Sequence, residues 1–415
     1  MRSLRIGLLL GLRQIQRASI WTTALIIFVM MLTFLNLVVV SGVLVGLITG
    51  AERAVRNESL GDIILSEPTG EKTIIETNSV VSSFASYPEI DSYSIRYKSN
   101  AVLEANYKER RNLNTERDIA TVNVTGIDPA LEDNMSHISD DVIRGEYLDP
   151  NEEGYILIGY YYLEESADKF GDVFDTLGIK NPGETVRLTV GDISKEFVVK
   201  GIIESKVDDV SLNTYIPERE FRRLFGRIDQ NADQRVIRVK SGYSEDDLKK
   251  AFVTNGLNAY AKIQTFEEGK PKFITDIKAT MNLLGTFIGS IGLVVASITI
   301  FIIIFINALS RRRHIGILKG IGIERQAIEI AYVIQAAFYA LAGSALGALL
   351  IYGFLIGYFE RNPIAFPFSD GVLVAPANET LLRFIVLFIT TLVAGFIPAW
   401  MIVRQNTLNA ILGRK

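Results

Sequence analysis

The chain has 415 residues, 48% of them hydrophobic, and a formal net charge of −4. It contains no cysteine and only two histidines, His137 and His314, which excludes disulfides and thiolate metal sites and leaves too few imidazoles for a catalytic or metal cluster. The net charge conceals a division: residues 52–278 hold 29 Lys and Arg against 42 Asp and Glu, a net of −13, and so acidic a segment argues against nucleic-acid binding.

Residues 1–17 carry Arg2, Arg5, Arg13 and Arg17 and no acid. At roughly 100° per residue these arginines and Gln16 fall within an arc of about 120°, interrupted by Leu9, while Leu4, Ile6, Leu8, Leu12 and Ile15 form an apolar face. The segment reads as an interfacial amphipathic helix, with a charged lead-in to the next element as the plainer alternative. Residues 18–51 follow without a charge over 34 positions. That run is far longer than the apolar region of a secretory signal, so it is read as a retained span and not as a cleaved leader.

Three more apolar runs lie at 279–310, 330–359 and 384–403. Each is long enough to cross a bilayer as a helix, which takes about 20 residues. The first run, at 34 residues, makes a helix of about 51 Å against a hydrocarbon core of about 30 Å. Either the first two helices tilt strongly or their outer turns form stalks beyond the membrane. The expected fold class is therefore a membrane α-helical protein with four transmembrane helices and a large domain, residues 52–278, inserted between helices 1 and 2.

Orientation follows the Lys and Arg excess in short flanking segments. The N-terminal 17 residues, the segment 311–329 (net +3) and the tail 404–415 are basic, whereas the 360–383 loop nets −1. Both termini and the 311–329 segment are expected in the cytoplasm, and the inserted domain and the 360–383 loop outside, in a multi-pass protein of a bacterial-type cytoplasmic membrane.

The inserted domain alternates strand and helix signals. Strands are predicted at residues 62–65, 120–125, 155–158, 185–190, 196–203 and 235–239, with a hairpin turning at Gly191-Asp192-Ile193. Helices are predicted over 161–170, 218–225 and 245–254, the last with Ser244 and Asp247 at capping-box-like spacing. The order suggests an α+β fold with a real core. Tyr160, Tyr161 and Tyr162 beside Glu164, Glu165 and Asp168 are read as core aromatics and a solvated face, not as a binding site.

Within the spans, Gly285 and Gly289, Gly343 and Gly347, and Gly353 and Gly357 are each four residues apart, a spacing that lets helix backbones approach closely. These six are the candidate helix-packing residues, toward this chain or a second subunit. No Asp, Glu, Lys or Arg lies inside a span, which argues against a proton relay or ion-coupled carrier.

The segment Arg311-Arg-Arg-His-Ile-Gly-Ile-Leu-Lys-Gly-Ile-Gly322 places Ile315, Ile317, Leu318 and Ile321 among basic residues on the cytoplasmic side, where apolar side chains need the membrane surface or a protein partner. Residues 315–322 resemble the signature of FtsX-like permeases, the membrane subunits of MacB-type and lipoprotein-releasing (LolCDE-type) ABC systems. Ile397-Pro-Ala-Trp and Asn406-Thr-Leu-Asn-Ala-Ile-Leu412 are similar to that family's ending, and Val124-Thr-Gly-Ile-Asp-Pro129 and the stretch from Gly183 through Gly201 to Pro217 and Phe221 to its MacB-like extracytoplasmic domain. Two positions depart from the pattern: His314 stands where Glu is usual and Thr407 where Pro is usual.

The resemblance implies that Gly322, Ile323, Glu324, Arg325, Gln326, Ala327 and Ile328 form a coupling helix that docks on a separate ABC ATPase subunit. The chain carries no Gly-x-x-x-x-Gly-Lys-(Ser/Thr) phosphate loop, so ATP is expected on the partner, with no cofactor, metal or catalytic residue in this chain, which is read as a membrane subunit and not an enzyme. The resemblance further implies a dimer with a second permease copy or a homologous permease, mechanotransmission to the outer domain, and export or extraction of a lipoprotein, an amphipathic peptide or a drug, as in lipoprotein release or efflux. An extracytoplasmic protein partner fits the same scheme, and no nucleic acid does. The rival reading is an FtsX-type transmitter that moves nothing and regulates a cell-wall hydrolase; the size of residues 52–278 disfavours it.

Overall fold

The computed structural model describes residues 2–108, 117–171, 175–366 and 369–404. In chain order the elements are helix α1 (Arg2–Gln16), helix α2 (Ile20–Leu60), strand β1 (Ile63–Ser66), helix α3 (Thr77–Phe84), strands β2 (Ile90–Glu104) and β3 (Ile119–Ile127), and helix α4 (Pro129–Ser136). Strands β4 (Val142–Gly145), β5 (Tyr155–Gly159), β6 (Thr185–Val190), β7 (Ile193–Ile203) and β8 (Asn213–Pro217) come next, followed by α5 (Glu218–Leu224), β9 (Gln234–Val239), α6 (Glu245–Thr254) and β10 (Lys262–Thr265). The chain then continues through α7 (Lys272–Ser310), α8 (Arg312–Gly320), α9 (Arg325–Arg361), the short strands β11 (Ile364–Phe366) and β12 (Ser369–Gly371), and α10 (Ala377–Val403). It divides into two compact units that change over between Gly50 and Ala51 and between Ile274 and Thr275.

The first unit is a helical bundle. Helices α2, α7, α9 and α10 are long and apolar enough to cross a membrane. The first half of α2 packs on α9: Met30 and Phe34 are buried, and a methyl on Gly347 would stand 2.7 Å from the Phe34 ring. The next turns pack on α7 instead, with Leu37 opposite Gly289 and the Ser41 hydroxyl donating to the Gly285 carbonyl at 3.1 Å. Where the partner changes, α2 widens into a π-helical turn, Asn36–Val40, which includes Leu37, the kind of irregularity that lets a helix re-aim its faces. The core combines Ile26, Met30 and Phe34 with Ile300, Tyr332, Ala336, Leu387 and Ile402.

The second unit is a mixed α+β fold around one sheet of ten strands. Its order is β10-β1-β9-β2-β3-β8-β5-β7-β4, and β6 pairs with both β2 and β7. The pairs β3–β8 and β5–β7 are parallel and the rest antiparallel. The expected hairpin is β6–β7, turning at Gly191, whose φ of 56° suits glycine. Helix α6 starts where the sequence placed it, with the Ser244 hydroxyl accepting from the Asp247 amide.

Four strands of this sheet were not anticipated: β2, β4, β8 and β10. The 15-residue β2 runs next to the centre of the sheet. It escaped notice because polar side chains occupy its inner positions: Ser94, Arg96 and Glu104 are all buried, which destroys the alternation on which strand recognition depends. The helix expected over 161–170 is replaced by two 3₁₀ turns, Tyr160–Tyr162 and Glu164–Ser166, and a single α turn, Ala167–Phe170. Leu163 interrupts them in extended conformation because it bridges to Leu177. All three tyrosines are buried in the main core cluster.

Candidate functional site

The segment that joins α7 to α9 is built from α8 and a tight connection. Helix α8 starts one residue after α7 ends and carries Arg312, Arg313 and His314 in its first turn. It buries Ile315 and Gly316 and leaves Ile317 49% exposed. Ile321 closes it and stands 71% exposed. Gly322 then adopts a φ of 91°, a left-handed conformation that an L side chain disfavours. Its amide donates to the Lys319 carbonyl, and the Ile323 amide donates to Leu318. Extended Glu324 opens α9.

The short helix of this connection is therefore Arg312–Gly320, and residues 322–328 do not form one of their own. Gly322, Ile323 and Glu324 are the turn, while Arg325, Gln326, Ala327 and Ile328 are the first turn of α9. Gly322, Glu324, Arg325 and Gln326 are exposed and Ile323 is half-buried. Ala327 and Ile328 are 0% and 1% exposed, taken up inside the bundle and absent from its surface. Nothing in the neighbouring residues signals this, because what covers Ala327 is α1, some 320 residues earlier in the chain.

Helix α1 lies along the start of α9 through two glycines. A methyl on Gly7 would meet Ile330 at 2.7 Å, and one on Gly11 would come within 3.0 Å of the Ala331 carbonyl. Leu4, Leu8, Leu9 and Leu12 remain exposed on α1, an apolar face of the kind that sinks into a membrane interface. At the other border of α8, the Lys319 ammonium donates to the Val403 carbonyl at the end of α10 at 3.0 Å. Burial, and then Arg325, push its pKa below the usual lysine value. Exposed on this connection are the apolar Ile317 and Ile321, with Arg313, His314 and Arg325 also at the surface.

Of the six glycines singled out for helix packing, four stand at close approaches: Gly285 at Ser41, Gly289 at Leu37, Gly343 at Met30 and Gly347 at Phe34. Gly353 and Gly357 have no described atom within 4 Å of where a Cβ would stand. Two further pairs with the same spacing make contacts of the same kind, Gly7 with Gly11 on α9, and Gly42 with Gly46 on residues 372–374. Their four-residue spacing is visible in the sequence. The tail motif at 406–412 lies outside the described residues.

In the sheet unit, Arg96 and Glu132 form a buried bidentate pair, with Nε–Oε2 at 3.0 Å and Nη2–Oε1 at 2.5 Å. Glu132 also accepts from the Ser94 and Ser136 hydroxyls, and Arg96 donates to the Ser59 carbonyl near the end of α2. Burial pushes the Glu132 carboxyl up, but Arg96 and the two hydroxyls outweigh it and hold the pKa below the usual carboxylate range. This network is structural: it fastens the last turn of α2 to β2 and α4. Among the described residues no group of three His, Cys, Asp or Glu could hold a metal ion.

Residues 286–407 match the family model of the FtsX-like permease C-terminal region. The macrolide export ATP-binding/permease protein MacB of Campylobacter jejuni is 26% identical over 235 residues, 52% of this chain and 34% of that protein. An uncharacterized ABC transporter permease of Methanocaldococcus jannaschii is 24% identical over 292 residues, 66% of each chain. The crystal structure of the periplasmic region of MacB from Actinobacillus actinomycetemcomitans aligns with a TM-score of 0.35 at 14% identity, covering 51% of this chain and 92% of that one. The chain thus spans about one third of the length of the MacB relative it matches.

Proposed function

We propose that this chain, whose residues 286–407 match the FtsX-like permease C-terminal model, is a member of that family and the membrane subunit of an ABC export or extraction system, driven by a separate ATPase that docks on the α7–α9 connection. The observation that carries this reading is the exposed pair Ile317 and Ile321, on a connection tied to the end of α10 through Lys319 and followed by a first turn of α9 that α1 covers. Exposed isoleucines on a basic, rigid connection suit a groove on a protein partner better than water. The docking surface is Ile317, Ile321, Gly322, Glu324, Arg325 and Gln326, on the cytoplasmic side with both termini. The sheet unit and the 360–383 loop then lie outside.

ATP-driven motion at that surface passes into α7 and α9, and through α2 and α7, which are continuous with the sheet unit, to the outer domain. Two permease copies, or this chain with a homologous permease, work together, and the cargo is a lipoprotein, an amphipathic peptide or a drug. The large mixed-sheet domain supports export over the transmitter reading, which needs no substrate-handling surface of that size.

The test is copurification from the native host membrane followed by ATPase assays in liposomes. The wild-type chain is expected to bring down an ABC ATPase whose turnover rises with cargo, and I317D/I321D to lose it. A double variant that keeps its ATPase and full stimulation would overturn the docking surface; a chain that binds a hydrolase and moves no cargo would favour the transmitter.

A further inference from the structure

The bundle contains an apolar crevice of about 380 Å³ between α9 and α10, floored by Phe34 of α2. It exists because the facing positions are small: Ser344, Ala345 and Ala348 on α9 stand across from Ala377 and Thr380 on α10. Its mouth is flanked by Leu341 and Leu381, 50% and 57% exposed, and no charged residue lines it. A span with this opening faces hydrocarbon, so the crevice is open to lipid and not to water.

Two hydroxyls in its walls are anomalous. Ser344 and Thr380 are 3% and 5% exposed, and neither hydroxyl oxygen has a hydrogen-bond partner. A hydroxyl in a membrane helix ordinarily donates to the carbonyl one turn back, and Thr33, Thr49, Thr286, Ser297, Thr299 and Thr390 of this chain do so. A donor left unpaired in a low-dielectric surrounding is costly. Ser344 and Thr380 line the same crevice.

Their depth identifies the acceptor. The Tyr352 hydroxyl donates to the Ala375 carbonyl at 3.1 Å, which sets that point of α9 level with the start of α10. At 1.5 Å per residue Thr380 lies roughly 8 Å along α10 from that contact and Ser344 roughly 12 Å along α9 from it. The two donors are thus near one level, about one turn outside Phe384, where the uncharged run of α10 begins, and close to the Glu379–Arg383 ion pair. That level is the membrane boundary, where the ester carbonyls of a glycerophospholipid meet its acyl chains. We propose that this crevice is a binding site for one glycerophospholipid, an acyl chain lying on Phe34 and Phe384 and the ester carbonyls accepting from Thr380 and Ser344. A cationic drug or a peptide would need charged or backbone-pairing groups, which the lining lacks. The site depends on neither the orientation of the chain nor its ATPase.

The full-length chain, purified and delipidated in detergent, is titrated with 1-palmitoyl-2-oleoyl phosphatidylglycerol and, separately, with its di-ether analogue, and bound lipid is counted by native mass spectrometry. The wild type is expected to hold one ester lipid about fivefold more tightly than the ether lipid, the discrimination of about one hydrogen bond. S344A/T380V, nearly unchanged in volume, is expected to bind both lipids alike, and A348W, which fills the crevice, to bind neither at that site. Equal affinity of the wild type for ester and ether lipid would overturn the assignment of the hydroxyls, and lipid retained by a folded A348W would overturn the site itself. Should A348W fail to fold, the ester-to-ether ratio of S344A/T380V still decides.

Discussion

A methyl group placed on Gly7 would stand 2.8 Å from the carbonyl oxygen of Ala327, so the N-terminal helix and the first turn of α9 are in backbone contact. This relationship makes α1 part of the bundle, although its exposed leucines mark it for the membrane interface. G7L is expected to push α1 away from α9 while the remaining helices stay packed. Hydrogen exchange on the full chain would show faster exchange in residues 2–16 and unchanged protection in residues 330–350; unchanged exchange in α1 would count against the contact.

Ala327 and Ile321 belong to the same connection and are expected to respond differently. Asp at Ala327 buries a carboxylate between α1 and α9 with no partner, and such groups cost several kcal/mol. A327D should therefore lower the melting temperature of the chain itself. Asp at Ile321, which is 71% exposed, should leave melting unchanged and reduce only ATPase association. Thermal unfolding and copurification of the two variants, side by side, separate a folding residue from a docking residue.

The Arg96–Glu132 pair is buried at both partners, with side chains 5% and 1% exposed. Removing one member leaves the other charge uncompensated, so E132Q or R96M should destabilise the sheet unit by about 3–5 kcal/mol. The pH dependence follows from the depressed Glu132 pKa. The stabilisation is complete above the carboxyl's unfolded pKa and is lost as pH falls through the lower folded value. Denaturant unfolding of wild type and E132Q should converge in acid and diverge toward neutrality.

Arg235 is the opposite case. It is wholly buried on β9, none of its guanidinium nitrogens has a hydrogen-bond partner, and its nearest recorded aromatic contact is the Phe84 ring at 5.9 Å. Burial pushes its pKa down to about 10. Because the charge lacks compensation, R235M should raise the stability of the sheet unit, by about 1–3 kcal/mol. A lower melting temperature for R235M would show that the guanidinium is satisfied by its aromatic surroundings.

Asp141 carries the reverse pH dependence. Burial, together with Glu58 and Asp140, pushes its carboxyl up to about 7. The folded state thus binds a proton more readily than the unfolded chain, and this site adds stability as pH falls from about 7 toward the ordinary carboxylate range. D141N should flatten the stability profile over that interval; a profile identical to wild type would mean that Asp141 titrates normally.

Much of the architecture could be read from the residues. The four spans were legible because a bilayer demands long uncharged helices, and a run of 34 such residues has few other uses. The β6–β7 hairpin and the start of α6 were legible because Gly191 and Ser244 act on their immediate neighbours. Strand β2 was not, since its buried Arg96 and Glu104 look like surface residues until their partners Glu132 and Arg117 are in place.

The connection between α7 and α9 shows the same limit at the candidate site. Its basic, isoleucine-bearing composition drew attention from the sequence alone, because apolar side chains beside arginines call for a partner. Which of those residues face outward was decided by α1, whose Gly7 and Gly11 cover Ala327 and Ala331 across more than 300 positions of chain. Hydropathy, charge and local turn chemistry act between near neighbours and are written along the chain. Burial of a particular face depends on which distant helix lies against it, and only the tertiary structure decides that.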